Sequence, residues 1–276
     1  MPLDPSAVGA EGTPTERAWS FKDAILYALG VGCGVDELQF STEKNQLVLP
    51  TFSVIVGMGG IPFDKIGSFN FAMLVHGEQA IEVFGPIPPN GKVRTTGKVA
   101  GIYDKGKAGL VVFECESKDA ETGELRFRNR MSAFIRGAGG FGGDSGPKAA
   151  PFEVPGRKPD HEVTYQTRAD QALIYRLSGD MNPLHSDPEL AKSVGFPKPI
   201  LHGLCTYGFT GRALLEAICK NDPARFRSME GRFSKPVFPG EAITVRMWVD
   251  GQSALFQTVN PNGDVVLDQG RFGFLG

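Results

Sequence analysis

Leu201-His202-Gly203-Leu204-Cys205-Thr206-Tyr207-Gly208-Phe209-Thr210-Gly211-Arg212-Ala213-Leu214-Leu215-Glu216-Ala217-Ile218-Cys219 decides the fold. Read as a helix from Leu204 to Cys219, it carries Leu204, Phe209, Leu214, Leu215 and Ile218 with few charges, so most of its circumference needs cover. A curved sheet wrapped around it supplies that cover. Downstream, Ala242 to Val249, Ala254 to Val259 and Val265 to Phe274 read as strands joined by turns at Asp250-Gly251 and Asn260-Pro261-Asn262-Gly263. The helix is thus followed by an antiparallel meander.

The upstream half follows the same order. Strand-like runs from Val93 to Ile102, Leu110 to Ser117 and Leu125 to Ile135 are joined by turns at Asp104-Lys105-Gly106 and Asp119 to Gly123. Ser20 to Asp23 and Thr167 to Asp170 each place a hydroxyl residue three positions before an acid, a capping-box variant that opens a helix. Val75-His76-Gly77 resembles Leu201-His202-Gly203, which predicts a helical stretch from Glu78 to Phe84. Between the halves, six of the ten residues from Gly137 to Gly146 are glycine, and Pro147, Pro151, Pro155 and Pro159 follow at four-residue intervals. The expectation is an α+β chain of two repeats, residues 1–136 and 161–276, with a Gly/Pro-rich linker at 137–160 and one buried helix per sheet.

Composition excludes several classes. Hydrophobic residues make up 41% and charged residues 22% of the 276, ordinary values for a globular chain. A net charge of −2, with basic residues scattered, gives no footprint for nucleic acid. No stretch approaches the ~18 apolar residues of a membrane helix, and Met1 to Arg17 lacks the pattern of a secretory signal. Cysteines 33, 115, 205 and 219 form no CxxC or zinc spacing, which suits a reducing compartment. A cytoplasmic setting is expected, with the peroxisomal matrix as the eukaryotic alternative, although Phe274-Leu275-Gly276 matches no receptor-read address.

Chemistry concentrates at Tyr175-Arg176-Leu177-Ser178-Gly179-Asp180-Met181-Asn182-Pro183-Leu184-His185-Ser186-Asp187. Gly179 suits a helix C-cap, and Pro183 pushes Asn182 toward extended geometry, so Asp180 and His185 sit on a fixed loop. A carboxylate and an imidazole held together can share one water, one side chain taking its proton and the other orienting it. That is hydration or dehydration chemistry. The corresponding first-half stretch, Ala28-Leu29-Gly30-Val31-Gly32-Cys33, keeps the glycine but lacks the acid, amide and histidine, so the turn alone does not require them.

This segment resembles the signature of the MaoC-like, or R-specific 2-enoyl-CoA hydratase (hydratase 2), family. The resemblance continues through Pro199 to Thr206 and Arg232 to Gly240, and it covers nearly the whole chain. It implies a double hot-dog fold, in which each half is a long helix wrapped by an antiparallel sheet, with a degenerate N-terminal half. By resemblance Asp180 and His185 match the catalytic pair and Asn182 the asparagine between them. Gly203 matches the residue whose backbone N–H binds the thioester carbonyl. His76 and Gly77 match positions lining the ligand site, and Lys105 and Arg232 match cations for the coenzyme A phosphates. The first half is expected to accommodate the acyl chain, with Val54 to Phe63 lining that space.

The activity so implied is hydration of trans-2-enoyl-CoA to (3R)-3-hydroxyacyl-CoA, with the thioester as substrate, no cofactor and no metal, in a homodimer that uses neither nucleic acid nor membrane. A 3-hydroxyacyl dehydratase acting on acyl-carrier-protein and a non-catalytic acyl-thioester binding module are the alternatives. Gly137 to Gly142 fits GxGxxG, but no helix-forming segment follows. Asp180, His185 and Asp187 lack the glycine of a calcium loop. Cys205 reads as helix packing.

Overall fold

The computed structural model describes residues 3–147 and 151–276; Met1, Pro2 and residues 148–150 of the expected linker lie outside them. The first half contains β1 (Thr15–Trp19), α1 (Phe21–Gly30), α2 (Leu38–Ser41), α3 (Ser53–Val56), β2 (Leu74–Val83), β3 (Gly91–Asp104), β4 (Ala108–Asp119) and β5 (Leu125–Arg136). The second contains β6 (His161–Gln166), α4 (Gln171–Tyr175), α5 (Pro188–Ser193), α6 (Gly203–Ala217), β7 (Phe226–Phe233), β8 (Ala242–Asp250), β9 (Ser253–Val259) and β10 (Val265–Phe274). All ten strands form one antiparallel sheet in the order β1-β3-β4-β5-β2-β7-β10-β9-β8-β6. The order is two copies of the same five-strand pattern, joined where β2 meets β7 from Glu78↔Arg232 to Glu82↔Ser228.

The helix read from the quoted stretch is present as α6, and every residue from Cys205 to Leu215 is buried. Its glycines allow close approach to the first half. A Cβ on Gly208 would lie 2.4 Å from Val31 Cγ1, and one on Gly211 2.4 Å from Thr51 Cγ2. Arg212, also on α6, forks onto Glu37 of the α1–α2 connection at 2.6 and 2.5 Å, with both side chains buried. One core therefore contains Tyr27, Phe52 and Ile81 from one half and Tyr207, Phe209 and Phe256 from the other.

Two sequence expectations need correction. Glu78 to Phe84 is no helix; Leu74–Val83 is strand β2, and its burial alternates, with Gln79, Ile81 and Val83 inward and Glu82 exposed. That period of two is the strand signature. The match of Val75-His76-Gly77 to Leu201-His202-Gly203 is accordingly out of register: the partner of β2 in the repeat is β7. The first half has no helix among the described residues that is buried all round like α6: α1 buries one side through Ala24, Tyr27 and Ala28, and the fully buried segment is the 3-10 turn Pro50–Phe52 running into α3. The second correction concerns capping. At α1 the Asp23 carboxylate accepts the N–H and the hydroxyl of Ser20, both at 2.7 Å. At α4 no such box forms: the Thr167 hydroxyl donates to Glu241 O at 2.6 Å, and Asp170 pairs with Arg168.

The meander strands match the expected runs to within a few residues at each end. Among the described residues no helix is long and apolar enough to cross a membrane.

Candidate active site

α4 ends at Tyr175, passes through the 3-10 turn Arg176–Ser178 and leaves through Gly179 at φ +132°, a conformation that favours glycine. Asp180 follows, and its Oδ1 accepts the Asn182 N–H at 3.1 Å. Asn182, at φ −54° and ψ 121°, caps the next turn, Pro183–His185, its Oδ1 accepting the Leu184 N–H at 3.0 Å. The amide oxygen of Asn182 is thus spent on holding the turn that presents His185. Asp187 caps α5, accepting the Glu189 and Leu190 N–H groups at 2.8 and 3.3 Å.

His185 is buried, with 8% exposure, and its Nδ1 lies 2.9 Å from Ile200 O. A carbonyl can only accept, so Nδ1 carries the proton and Nε2 keeps its lone pair. Burial pushes the His185 pKa below the ordinary imidazole value, against opposing effects of the Ile200 carbonyl and Asp180. The ring is therefore neutral at pH 7, the form a base needs. Stacked on it, centroids 3.7 Å apart, is His202, whose own Nε2–H points at Asp180 O, 3.1 Å away. One side-chain atom from each of Asp180, His185 and His202 falls within a 4.8 Å cluster. These residue types could also ligate a cation: the hydrogen bonds commit one nitrogen of each ring to a carbonyl and leave His185 Nε2 and His202 Nδ1 with their lone pairs.

Gly203, next along the chain, opens α6, and its N–H has no backbone acceptor among the described residues. It points from the positive end of a fifteen-residue helix. A Cβ here would lie 3.2 Å from Phe233 Cε1. Phe233, closing β7, also meets His76 of β2 edge-on at 5.2 Å. His76 donates from Nε2 to Glu78 O at 3.1 Å, and burial pushes its pKa down while Asp180 opposes. Gly77 sits at the register shift between His76 and Glu78, where β2 bulges against β5. The Asp/His cluster and the first-half residues therefore adjoin across the seam.

His76, Gly77, Lys105 and Arg232 share one groove of about 830 Å³ across that seam. Arg232 forks onto Glu78 at 2.8 and 2.6 Å, and Lys105 donates to Ser145 O. Three further cations line the groove: Arg271, paired with Glu230 at 3.3 Å, and Arg130 and Arg136, neither with an ion-pair partner among the described residues. Arg130 and Arg136 are missing from the sequence reading, although both stand on the exposed face of β5 with Arg128 and Phe134. His202 is missing too; the quoted motif contains it without assigning it a role. Of Val54 to Phe63, expected to line the acyl space, Val54 and Val56 are buried in the core, and Met58, Ile61 and Phe63 are partly buried. Cys205 is buried, its thiol pushed far up, and it donates to Gly30 O at 3.3 Å, a packing role.

The depressed imidazoles predict acid lability. His202 is pushed down to about 4 by burial and by neighbouring His185, and His76 is lowered in the same direction. Between pH ~6.5 and ~4 the unfolded chain binds more protons than the folded one, so stability is full above this window and falls on acidification. Melting temperature measured at pH 7, 5.5 and 4.5 is expected to fall stepwise, and less steeply in His202→Phe. A wild-type melting temperature that is flat or rising across the window contradicts the assignment.

The geometry defines a chain of two sheet-and-helix repeats with an Asp/His cluster at the start of the buried helix. Residues 18–137 match the MFE-2 hydratase 2 N-terminal domain and residues 151–270 the MaoC like domain. The chain is 45% identical to 3-hydroxyacyl-thioester dehydratase Y of Mycobacterium tuberculosis, over 100% of this chain and 99% of that protein. It is 44% identical to the probable enoyl-CoA hydratase 2 of Dictyostelium discoideum, over 93% and 91%. The crystal structure of a MaoC-like dehydratase from Phytophthora capsici superposes with a TM-score of 0.89 at 37% identity, covering 99% of this chain and 98% of that one. The chain belongs to the MaoC-like, hydratase 2 family: it is an enzyme with a double hot-dog fold.

Proposed function

We propose that the protein adds water across the double bond of a trans-2-enoyl-CoA to give a (3R)-3-hydroxyacyl-CoA. The observation that carries this reading is the cluster of Asp180, His185 and His202 side-chain atoms within 4.8 Å of one another, with Gly203, the residue after His202, opening α6 and its N–H without a backbone acceptor among the described residues. The Gly203 N–H and the helix dipole stabilise negative charge gathering on the thioester oxygen, which makes C3 electrophilic. Water held between Asp180 and His185 loses a proton to the pair as its oxygen bonds to C3. The enolate then collapses, and a proton passes to C2. Asp180 and His185 act as one coupled acid–base unit, each proton taken from water being returned to carbon. The dehydratase and hydratase names of the two relatives describe the two directions of this equilibrium. The R hand of the product rests on the family resemblance.

The groove favours coenzyme A over a carrier protein, because Arg130, Arg136 and Lys105 offer cations for the phosphates beside the seam. Steady-state kinetics with trans-2-enoyl-CoA and the corresponding enoyl-pantetheine thioester test this. Loss of the nucleotide is expected to raise KM at least ~10-fold, as removal of charge-assisted hydrogen bonds does, with kcat little changed. Arg130→Ala and Arg136→Ala should raise KM for the coenzyme A thioester only. Equal KM values for the two thioesters contradict the groove assignment.

A further inference from the structure

We infer that His202, in its neutral Nε2–H tautomer, is a positioning residue that ties the Asp180 loop, the His185 ring and the carbonyl-binding helix start into one rigid unit. The inference rests on the hydratase reading for its kinetic consequence and on geometry alone for its structure. His202 touches all three parts. Its Nε2–H donates to the Asp180 carbonyl at 3.1 Å, fixing the backbone that carries the carboxylate. Its ring lies against His185 with centroids 3.7 Å apart and planes at 27°, so His185 cannot tilt toward it. Its own carbonyl accepts the N–H groups of Cys205 and Thr206 at 3.0 and 3.2 Å, closing the first turn of α6. Gly203, bearing the exposed N–H, is the next residue.

Burial argues that the imidazole is there for its hydrogen bond. His202 is 1% exposed, between the rings of His185 and Tyr175, the latter with its centroid 5.0 Å away. Its Nδ1 is buried and has no partner among the described residues. An aromatic hydrocarbon would fill the same space without leaving a lone pair unsatisfied. The charged and titratable groups around the ring are Asp180, His185, Arg176 and Tyr175. The tautomer follows from the carbonyl partner, which leaves Nε2 as the donor.

The test uses two substitutions that divide the ring from the donor. His202→Phe keeps the stack and loses the donor; His202→Gln keeps an amide N–H within reach of Asp180 O and loses the stack. With trans-2-enoyl-CoA, His202→Phe is expected to lower kcat about 10²-fold, the typical penalty for a catalytic group displaced by an ångström, while KM stays within about threefold. His202→Gln is expected to recover at least about tenfold of that loss. Wild-type kcat in His202→Phe, or a Gln variant no better than Phe, overturns the inference. Two-bond ¹H–¹⁵N spectra of the wild-type imidazoles at pH 7 give a readout independent of turnover: His202 should be neutral with its proton on Nε2. A charged His202 or a proton on Nδ1 overturns the inference even if no enoyl thioester reacts, whereas absence of turnover with the expected tautomer counts against the hydratase reading alone.

Discussion

Asp180→Asn and His185→Gln are each expected to lower kcat for hydration by about 10²- to 10⁴-fold, the range set by losing a positioned proton-transfer group. Both substitutions keep size and polarity. Asn at 180 can still accept the Asn182 N–H through its amide oxygen, so the loop retains its 3.1 Å contact. Gln at 185 puts its amide near the place of Nε2, where an amide nitrogen offers no basic lone pair, and it gives up the Nδ1 contact to Ile200 O. KM should therefore move little, because the groove cations are untouched. The double variant should be little worse than the poorer single one, since the two groups serve one water and are not additive. Circular dichroism and melting temperature check that each variant is folded. A loss below tenfold in both singles would remove the pair from the chemistry.

The second large effect is on stability. Glu37→Ala leaves the Arg212 guanidinium, 8% exposed, inside the molecule without its carboxylate. Breaking a buried pair by removing one partner typically costs about 3–5 kcal/mol, because the remaining charge is neither solvated nor neutralised. For a chain of this size that corresponds to a drop of roughly 10 °C in melting temperature. Among the described residues Arg212 then keeps its stack on Tyr165, with the guanidinium carbon 3.9 Å from the ring centroid, and a 3.4 Å contact to Val31 O. Because Glu37 lies on the first half and Arg212 on α6, the variant should loosen the contact between halves. Replacing both residues with methionine should recover most of the loss. A shift under about 2 °C in Glu37→Ala would show that water reaches the guanidinium.

The parts of the fold legible from sequence carry local signals. α6 announces itself by length and apolar content, and the two meanders by turns at Asp104 to Gly106, Asp119 to Gly123, Asp250-Gly251 and Asn260 to Gly263. β1, β6 and β7 went unread because Thr15–Trp19, His161–Gln166 and Phe226–Phe233 are short or heavily polar, and their partners lie far along the chain. β2 was misread because Glu78 to Phe84 is too short to separate a period of two from one of 3.6, and its similarity to the α6 entry pulled the reading toward helix. Pairing with β7, about 150 residues away, decides the matter.

The site divides the same way. Asp180, Asn182 and His185 stand out because Gly179 and Pro183 fix a loop around them. The role of His202 depends on a contact with a carbonyl 22 residues earlier, which no local pattern encodes. Arg232, matched by resemblance to a cation for the coenzyme A phosphates, has Glu78 as a partner across the seam. Arg130 and Arg136 are two of several basic residues on one strand until the fold places a groove beside them.

The most direct measurement is the loss of enoyl absorbance with trans-2-decenoyl-CoA, followed by chiral resolution of the 3-hydroxy product, for the wild-type protein and Asp180→Asn. The account predicts turnover by the wild type, a product of R configuration, and collapse of the rate in the variant. An S product, or a rate unchanged by the substitution, would contradict it.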